Sequence, residues 1–229
     1  MAAGQLRLRG PERTKVTLIV KIISVLDYGC GNIRSVIRML EKAGASANRV
    51  STPEEVRGAQ ALVLPGVGAF DHGMGALVER GLDHALDDAV NSHAVPVLGI
   101  CLGMQLMCRG SEEGQLPGLG WFDAQATRFP DPGLIRLPVP HMGWNTLRIV
   151  KDNPLLPADE PDSRFYFVHS YRIRCRNPED VVATCDYGGD FVAAFSKTNL
   201  FGAQFHPEKS HRFGLAMMRR FVGWVNAAA

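Results

Sequence analysis

The amino-acid sequence predicts an α/β fold with a mostly parallel, flavodoxin-like central sheet that is flanked by helices. Two observations lead to this prediction. Continuous apolar runs at 18–26, 61–64 and 95–100 are typical of strands that are buried on both faces. Helical spacing of the apolar residues at 32–43 and 77–90 supplies the crossover connections that a parallel sheet requires.

The second half of the chain has a different pattern, because short strand-like runs follow one another without helices between them. Gly188-Gly189-Asp190 is typical of a hairpin loop, and a final helix is predicted from about 212 to 225. We therefore expect additional antiparallel strands beside the parallel core. The predicted strands of this half are 121–128, 145–150, 164–168, 181–184, 191–195 and 200–205.

Composition and charge are those of an ordinary globular protein, with 229 residues, 46% hydrophobic residues and a formal net charge of +2. We predict one domain over 21–227 and an N-terminal extension at 1–20, with disorder as one expectation for it. The small net charge argues against a nucleic-acid partner. The apolar run at 16–26 is interrupted by Lys21 and is too short to cross a bilayer, so we expect no membrane association.

No pattern in the sequence indicates a metal or a tightly held cofactor. The five cysteines lack CxxC or mixed Cys/His spacing, and their odd number and scatter argue against a disulfide framework. A reducing, cytoplasmic location is therefore expected. The glycine-rich segment 27–32 follows the first strand, but Arg34 stands where a GxGxxG dinucleotide motif needs its third glycine.

One cysteine, Cys101, lies in a context that is typical of a nucleophile. The segment Gly99-Ile100-Cys101-Leu102-Gly103 follows a buried strand and precedes a helix-like run. A sharp strand-to-helix turn brings backbone so close together that flanking residues need to lack a Cβ atom. The helix N-terminus that follows favours the thiolate, which is the nucleophilic form. An isolated cysteine would instead be interpreted as a small buried hydrophobe.

A cysteine nucleophile needs a base, and His206 is the first candidate. It follows the apolar run 200–205 at a strand end, and Pro207 favours an extended backbone at His206. In extended backbone Glu208 projects to the same side, where a carboxylate would fix the imidazole tautomer and stabilise its protonated form. His169 is the competing candidate for the base.

Attack on an amide would create an oxyanion, which requires backbone N–H donors. The N–H of Leu102, the residue after the nucleophile, is one predicted donor. The glycine-rich turn 65–68 follows a parallel strand and should lie at the same edge of the sheet, so we expect the second donor from Val67 or Gly68.

These motifs together resemble those of the triad class of glutamine amidotransferases, and within that class the glutaminase subunits of imidazole glycerol phosphate synthase. The resemblance runs from about 22 to 225. The segments that carry it are Asp27-Tyr-Gly-Cys-Gly-Asn32, Pro65-Gly-Val-Gly68, Gly99-Ile-Cys-Leu-Gly-Met-Gln105, the loop His141-Met-Gly-Trp-Asn145, His169-Ser-Tyr171 and His206-Pro-Glu-Lys-Ser210. His211 and Arg212 depart from the pattern, because smaller or polar residues are expected after the last segment.

The resemblance implies that the chain hydrolyses glutamine and passes the ammonia to a (β/α)₈-barrel cyclase, with which it forms a heterodimer. The complexes of that family make imidazole glycerol phosphate and an aminoimidazole carboxamide ribotide in histidine biosynthesis, and their glutaminase activity is weak until the cyclase binds its nucleotide. The residues implied in glutamine binding are Gln105, Glu113, His169, Ser170 and Tyr171. The residues implied near the partner are Tyr28, Asn32, Trp144 and Lys209.

Three alternatives remain open from the sequence. The chain could serve another ammonia-using synthase, it could be a Cys–His peptidase or related hydrolase on a similar core, or it could be a catalytically silent regulatory subunit. Each of them keeps the same α/β core.

Overall fold

The computed structural model describes residues 21–131, 137–160 and 163–227, so the predicted extension at 1–20 lies outside the described residues. Strands and helices alternate in the first half of the chain, as predicted. Its elements are β1 Ile22–Leu26, α1 Ile33–Lys42, β2 Ser46–Val50, α2 Pro53–Arg57, β3 Leu62–Gly66, α3 Phe70–Glu79, α4 Leu82–Asn91, β4 Val97–Cys101 and α5 Leu102–Leu106.

The second half consists mainly of short strands and ends in the longest described helix. Its elements are β5 Gly110–Ser111, β6 Ala124–Arg128, β7 His141–Thr146, β8 Arg148–Ile149, β9 Arg164–His169, β10 Tyr171–Cys175, β11 Val181–Asp186, β12 Asp190–Lys197, β13 Leu200–Ala203 and α6 His211–Ala227. Two 3₁₀ turns, Pro178–Asp180 and Pro207–Lys209, separate some of these elements.

The central sheet confirms the predicted fold class. Its parallel part has the order β2-β1-β3-β4-β13, which is the strand order of flavodoxin-like folds. Beyond β13 the sheet continues with the antiparallel partner β12 and then with β10, β6 and β5, while β11 and β8 branch off β12. The pair β7–β9 forms a separate antiparallel ribbon. The predicted hairpin is present, since Asp186 pairs with Asp190 across the Gly188-Gly189 turn.

Some elements differ from the sequence prediction. The segment 77–90, where helical material is expected, contains the end of α3 and most of α4, and Gly81 separates the two helices with a left-handed backbone at φ 63°. Helix α2 was not predicted; it is five residues long and is held by a capping box in which Thr52 and Glu55 bond each other's backbone N–H.

The segment His141–Asn145, predicted as a loop, lies in strand β7. It pairs with β9 from His141↔His169 to Thr146↔Arg164. The apolar alternation that marks a strand is weak here, since Gly143 interrupts the segment and the side chains of Met142 and Trp144 are exposed. The backbone pairing with β9 therefore determines this element.

Hydrophobic cores lie on both faces of the sheet. Val63 and Leu98 belong to one buried cluster, whereas Leu62, Leu64 and Val97 belong to the other. Successive side chains of β3 and β4 thus point to opposite faces and are buried on both, which explains the continuous apolar runs. Among the described residues, no helix is long and apolar enough to cross a membrane.

Helix α6 packs closely against the turn that follows β13. The N–H of Gly214 donates a hydrogen bond to the carbonyl of Ser210 at 3.0 Å. A Cβ atom on Gly214 would lie 1.8 Å from the carbonyl oxygen of Pro207, so only glycine allows this approach. Gly223, in the same helix, faces open space, since a Cβ atom there would meet nothing within 4 Å.

We predict that Gly214→Ala destabilises the fold by about 1–3 kcal/mol, because backbone atoms have to move to admit the methyl group. The matched variant Gly223→Ala should be neutral or more stable by up to about 1 kcal/mol, since alanine is the better helix former. Urea unfolding followed by circular dichroism measures both. Equal midpoints for the two variants would contradict the close contact between α6 and the turn.

Candidate active site

The carboxyl ends of three parallel strands bring the predicted site residues to one edge of the sheet. In the registers of β3, β4 and β13, Leu64 pairs with Gly99 and Gly99 pairs with Gly202. Gly66 pairs with Cys101 at the end of β4. The glycine-rich turn after β3, the thiol after β4 and the histidine after β13 therefore emerge side by side, where ligands bind in open α/β sheets.

Cys101 stands in a sharp strand-to-helix turn. Its backbone adopts φ 52° and ψ −106°, a conformation that residues other than glycine rarely adopt. A Cβ atom on Gly103 would lie 1.7 Å from the carbonyl oxygen of Leu64, and one on Gly99 would lie 2.9 Å from the backbone nitrogen of Met104. The requirement for both glycines is therefore confirmed. Helix α5 is only five residues long, so any dipole effect on the thiol comes from a little more than one turn.

His206 is joined to Glu208 on one side and faces Cys101 on the other. Its Nδ1 bonds Glu208 Oε1 at 2.8 Å, and the two side chains are 1% and 4% exposed. Its other ring nitrogen, Nε2, is buried and makes no regular hydrogen bond within the described chain. Burial lowers the pKa of His206, but the charge and proximity of Cys101, followed by Glu208, outweigh this effect and raise the pKa above its ordinary value.

Backbone hydrogen bonds hold His206 in place. Its N–H donates to the carbonyl of Tyr166 in β9 at 2.9 Å. The hydroxyl of Ser210 donates to the carbonyl of His206 at 2.6 Å and accepts the N–H of Tyr166 at 3.0 Å. Since Ser210 is fully buried, these bonds attach the turn after β13 to β9 without competition from water.

The geometry of His169 argues against its role as the competing base. Its Nδ1 donates to the carbonyl of Tyr171 at 2.7 Å, so its Nε2 carries the lone pair. That lone pair accepts the Nδ1–H of His141 at 3.1 Å. Burial is the main cause that lowers the pKa of His169 to about 3. Both ring nitrogens are therefore occupied, whereas Nε2 of His206 remains available to the thiol.

His141 supports His169 from β7, a role that the sequence did not indicate. Its ring stacks between Tyr187 at 3.9 Å and Phe167 at 4.8 Å, measured between ring centroids. Burial lowers the pKa of His141 to about 4, so the ring is neutral and can donate from Nδ1 while accepting at Nε2. Asn145 approaches that Nε2 at 3.4 Å.

A cavity of about 490 Å³ opens beside the thiol. This volume is within the range of small-molecule sites. The predicted oxyanion donors and glutamine-binding residues all line it, together with two residues that the sequence did not single out, Pro140 and Val168. The lining residues from the prediction are Val67, Gly68, Cys101, Leu102, Gln105, Glu113, His169, Ser170, Tyr171 and Lys209.

Two of the polar lining residues are held by hydrogen bonds to the protein. Gln105 donates from Nε2 to the carbonyl of Tyr171 at 3.3 Å. Glu113 accepts the N–H of Phe70, the first residue of α3, at 2.9 Å through Oε2. The carboxylate of Glu113 therefore caps a helix and lines the cavity at the same time.

Gln204 is a buried polar residue that the sequence motifs do not single out. It directly follows β13, two residues before His206, and is fully buried. A lone polar residue within the apolar run 200–205, in step with His206 and Glu208, is the signal that could have identified it.

The predicted partner residues differ in their exposure. Trp144 and Lys209 are exposed, and the indole of Trp144 stacks on His211 with ring centroids 5.4 Å apart. Asn32 is exposed and caps α1 by accepting the N–H of Ser35. Tyr28 is 1% exposed, so its side chain lies in the interior and the prediction that it contacts a partner does not fit the structure.

A larger cavity, of about 680 Å³, lies at the amino ends of the same strands. Lys21, Gln60, Val95 and Asn199 are among its lining residues, and none of the described residues that line it is a cysteine, a serine or a carboxylate. Volume therefore does not identify the functional cavity here; the smaller one contains the thiol. Among the described residues, no three His, Cys, Asp or Glu side chains are grouped to hold a metal ion.

Comparison with known proteins agrees with this geometry. The family model of class-I glutamine amidotransferases matches residues 24–223. The imidazole glycerol phosphate synthase subunit HisH 2 of Pseudomonas aeruginosa is 46% identical over 89% of this chain and 100% of its own length. The HisH subunit of Bdellovibrio bacteriovorus is 43% identical over 87% of this chain and 98% of its own.

Solved structures share the fold at lower sequence identity. PurLQS from Thermotoga maritima superposes with a TM-score of 0.68 and 15% identity, over 90% of this chain and 99% of that one. A glutamine amidotransferase from the same organism superposes with a TM-score of 0.55 and 18% identity, over 91% and 84%. Fold and sequence together lead to one conclusion: the chain belongs to the class-I glutamine amidotransferases and, within them, to the family of imidazole glycerol phosphate synthase subunit HisH.

Proposed function

We propose that the protein is the glutaminase subunit of an imidazole glycerol phosphate synthase and that Cys101, His206 and Glu208 hydrolyse glutamine. The single observation that carries this proposal is the arrangement of His206. Its Nδ1 is bonded to a buried carboxylate, and its Nε2 is left unbonded on the ring that interacts with Cys101. Cys101 in turn lines a cavity large enough for an amino acid.

The first half of the proposed reaction forms a thioester. The Cys101 thiolate attacks the side-chain carbonyl carbon of glutamine, so a C–S bond forms and the carbonyl oxygen becomes an oxyanion. The N–H groups of Leu102 and of Val67 or Gly68 stabilise that oxyanion. Protonated His206 then gives its Nε2 proton to the amide nitrogen, the C–N bond breaks, and ammonia leaves.

The second half restores the enzyme. Neutral His206 takes a proton from a water molecule while the water oxygen attacks the thioester carbon. The C–S bond breaks, the thiolate and the imidazolium are restored, and glutamate leaves after its side-chain acid loses a proton to solvent. Glu208 stabilises the imidazolium whenever His206 carries two protons. This acyl transfer uses no redox or electron-sink cofactor.

Glutamine recognition is assigned to the polar lining of the cavity. Gln105 uses both hydrogens of Nε2 within the protein, one on Tyr171 and one on Gln204, so it offers its oxygen to the ligand. The Glu113 carboxylate uses Oε2 on the α3 backbone and offers Oε1 to the α-ammonium group. The backbone of His169, Ser170 and Tyr171 completes the site.

The ammonia is passed to a (β/α)₈-barrel cyclase in a cytoplasmic heterodimer, whose products are imidazole glycerol phosphate and an aminoimidazole carboxamide ribotide. Two facts support this part. The relatives are named as subunits of that synthase. Exposed apolar side chains also lie near the cavity, since Val67 lines it and is 46% exposed, and β7 presents Met142 and Trp144 at 61% and 45%.

Replacing Cys101 by alanine or serine should abolish glutamine hydrolysis, because no other described thiol lines the cavity. The assay measures glutamate release with the barrel cyclase and its nucleotide present. Cys185→Ala is the matched control and should retain activity, since burial raises the pKa of that thiol to about 12 and keeps it protonated. Retained glutamine hydrolysis in Cys101→Ala would contradict the proposal that Cys101 is the nucleophile. Cleavage of peptides but not of glutamine by the wild type would favour the Cys–His hydrolase alternative.

Replacing Glu208 by glutamine should lower kcat/KM at neutral pH by roughly 10²- to 10⁴-fold. The carboxylate contributes to the raised pKa of His206, so its loss lowers that pKa and the ring loses its proton at a lower pH. The alkaline limb of the pH–rate profile should therefore move to lower pH. Glu41→Gln, at an exposed carboxylate on α1, is the control and should leave the profile unchanged. An alkaline limb that stays in place would exclude an interaction between Glu208 and the reacting imidazole.

Replacing Trp144 by alanine should weaken association with the cyclase by at least about tenfold, as large aromatic side chains dominate interface energies. Val78→Ala, at another exposed apolar residue on α3, should bind as the wild type does. Titration calorimetry with the purified cyclase measures both dissociation constants. Identical constants for the two variants would place the interface elsewhere, and absence of binding by the wild type would favour another synthase as the partner.

A further inference from the structure

The side chain of Gln204 is enclosed next to the reacting sulfur. The residue follows β13 and is 0% exposed. Its backbone N–H donates to the carbonyl of Ala193 in β12 at 2.9 Å, which fixes the residue in the sheet. A buried primary amide costs free energy unless its donors and acceptor are bonded. The bonds that Gln204 makes therefore indicate why a polar residue stands there.

Hydrogen bonds determine which end of the Gln204 amide faces the sulfur. The carbonyl of Tyr171 can only accept, so the group of Gln105 that faces it has to be Nε2. The second hydrogen of that Nε2 goes to Gln204 Oε1 at 3.2 Å. The amide nitrogen of Gln204 is then turned towards Cys101 Sγ, at 3.7 Å. An N–H donor, and not a carbonyl oxygen, faces the sulfur.

An N–H donor acts differently on the two forms of the sulfur. A thiolate accepts a strong charge-assisted hydrogen bond, whereas a thiol or a thioester sulfur accepts a weak one. The amide therefore favours the thiolate before attack. The contact that the Gln204 amide nitrogen makes at this site is with the sulfur, at 3.7 Å.

We propose that Gln204 is a positioning residue for the nucleophile: its side-chain amide, oriented by Gln105, donates a hydrogen bond to the Cys101 sulfur and stabilises the thiolate. This inference rests on the proposed function of Cys101. The Gln204 amide is then a second group that stabilises the thiolate, beside the imidazole of His206. It follows β13, the strand that pairs with β4 on the side opposite to β3.

The test measures the rate at which iodoacetamide alkylates Cys101 as a function of pH, read by mass spectrometry of the peptide that contains it. Gln204→Met keeps the length of the side chain and removes the donor. A hydrogen bond to a charged group changes an equilibrium by about 10- to 100-fold. Alkylation of the variant at neutral pH should therefore be at least about tenfold slower, with its midpoint at higher pH. In glutamine hydrolysis kcat should fall while KM changes little.

Gln204→Glu is the second variant, since it keeps the shape and puts carboxylate oxygen where the N–H group stood. It should slow alkylation more than Gln204→Met does. Gln125→Met, at an exposed glutamine on β6, is the matched control and should alkylate as the wild type does. A wild-type rate and midpoint in folded Gln204→Met would overturn the proposal.

A measurement on the unsubstituted protein covers the case in which neither variant folds. The side-chain amide proton signals of Gln204 should shift over the pH range in which alkylation develops, and should not shift in Cys101→Ala. Signals that stay constant in the wild type would also overturn the proposal. Because alkylation does not need glutamine turnover, a wild type that fails to hydrolyse glutamine would count against the proposed function alone.

Discussion

The left-handed backbone at Cys101 is the constraint on which the site depends. A residue with a side chain at φ 52° and ψ −106° stores roughly 1–3 kcal/mol of strain. The conformation persists because β3 and β13 pair with β4 on both of its sides and because Gly99 and Gly103 let the backbone of α5 approach the sheet. The position of the sulfur is thus set by the sheet as a whole, and the side chain itself has little freedom to adjust.

A single backbone oxygen organises the polar groups around that sulfur. The carbonyl of Tyr171 accepts from His169 and from Gln105, and as a pure acceptor it determines the direction of both bonds. The tautomer of His169 then determines that of His141, and the amide of Gln105 determines the orientation of the Gln204 amide. Buried networks in which every member is bonded specify one arrangement, because any flipped group would leave a donor or acceptor unsatisfied.

The parallel core, the hairpin and the convergence of Cys101 with His206 could be predicted, because apolar runs and glycine spacing are local consequences of burial on both faces and of close backbone approach. The division between α3 and α4 depends on one glycine whose left-handed backbone the periodicity does not reveal. Strand β7 depends on its pairing with β9, which is a tertiary property. His141 escaped prediction because its contact with His169, 28 residues away, depends on the pairing of β7 with β9. Gln204 carried a local signal, but its contact with Cys101, 103 residues away, depends on the pairing of β13 with β4. Burial of Tyr28 likewise follows from packing that its motif does not encode.

The stacking of Trp144 on His211 connects the exterior of the protein to the imidazole. His211 begins α6, and three residues later Gly214 meets Pro207 with no space for a methyl group. The exposed indole and the imidazole of His206 are therefore separated by one helical turn and one peptide, with no room for a larger side chain between α6 and Pro207. A macromolecule seated on the indole would rest on the same short segment that holds the catalytic ring.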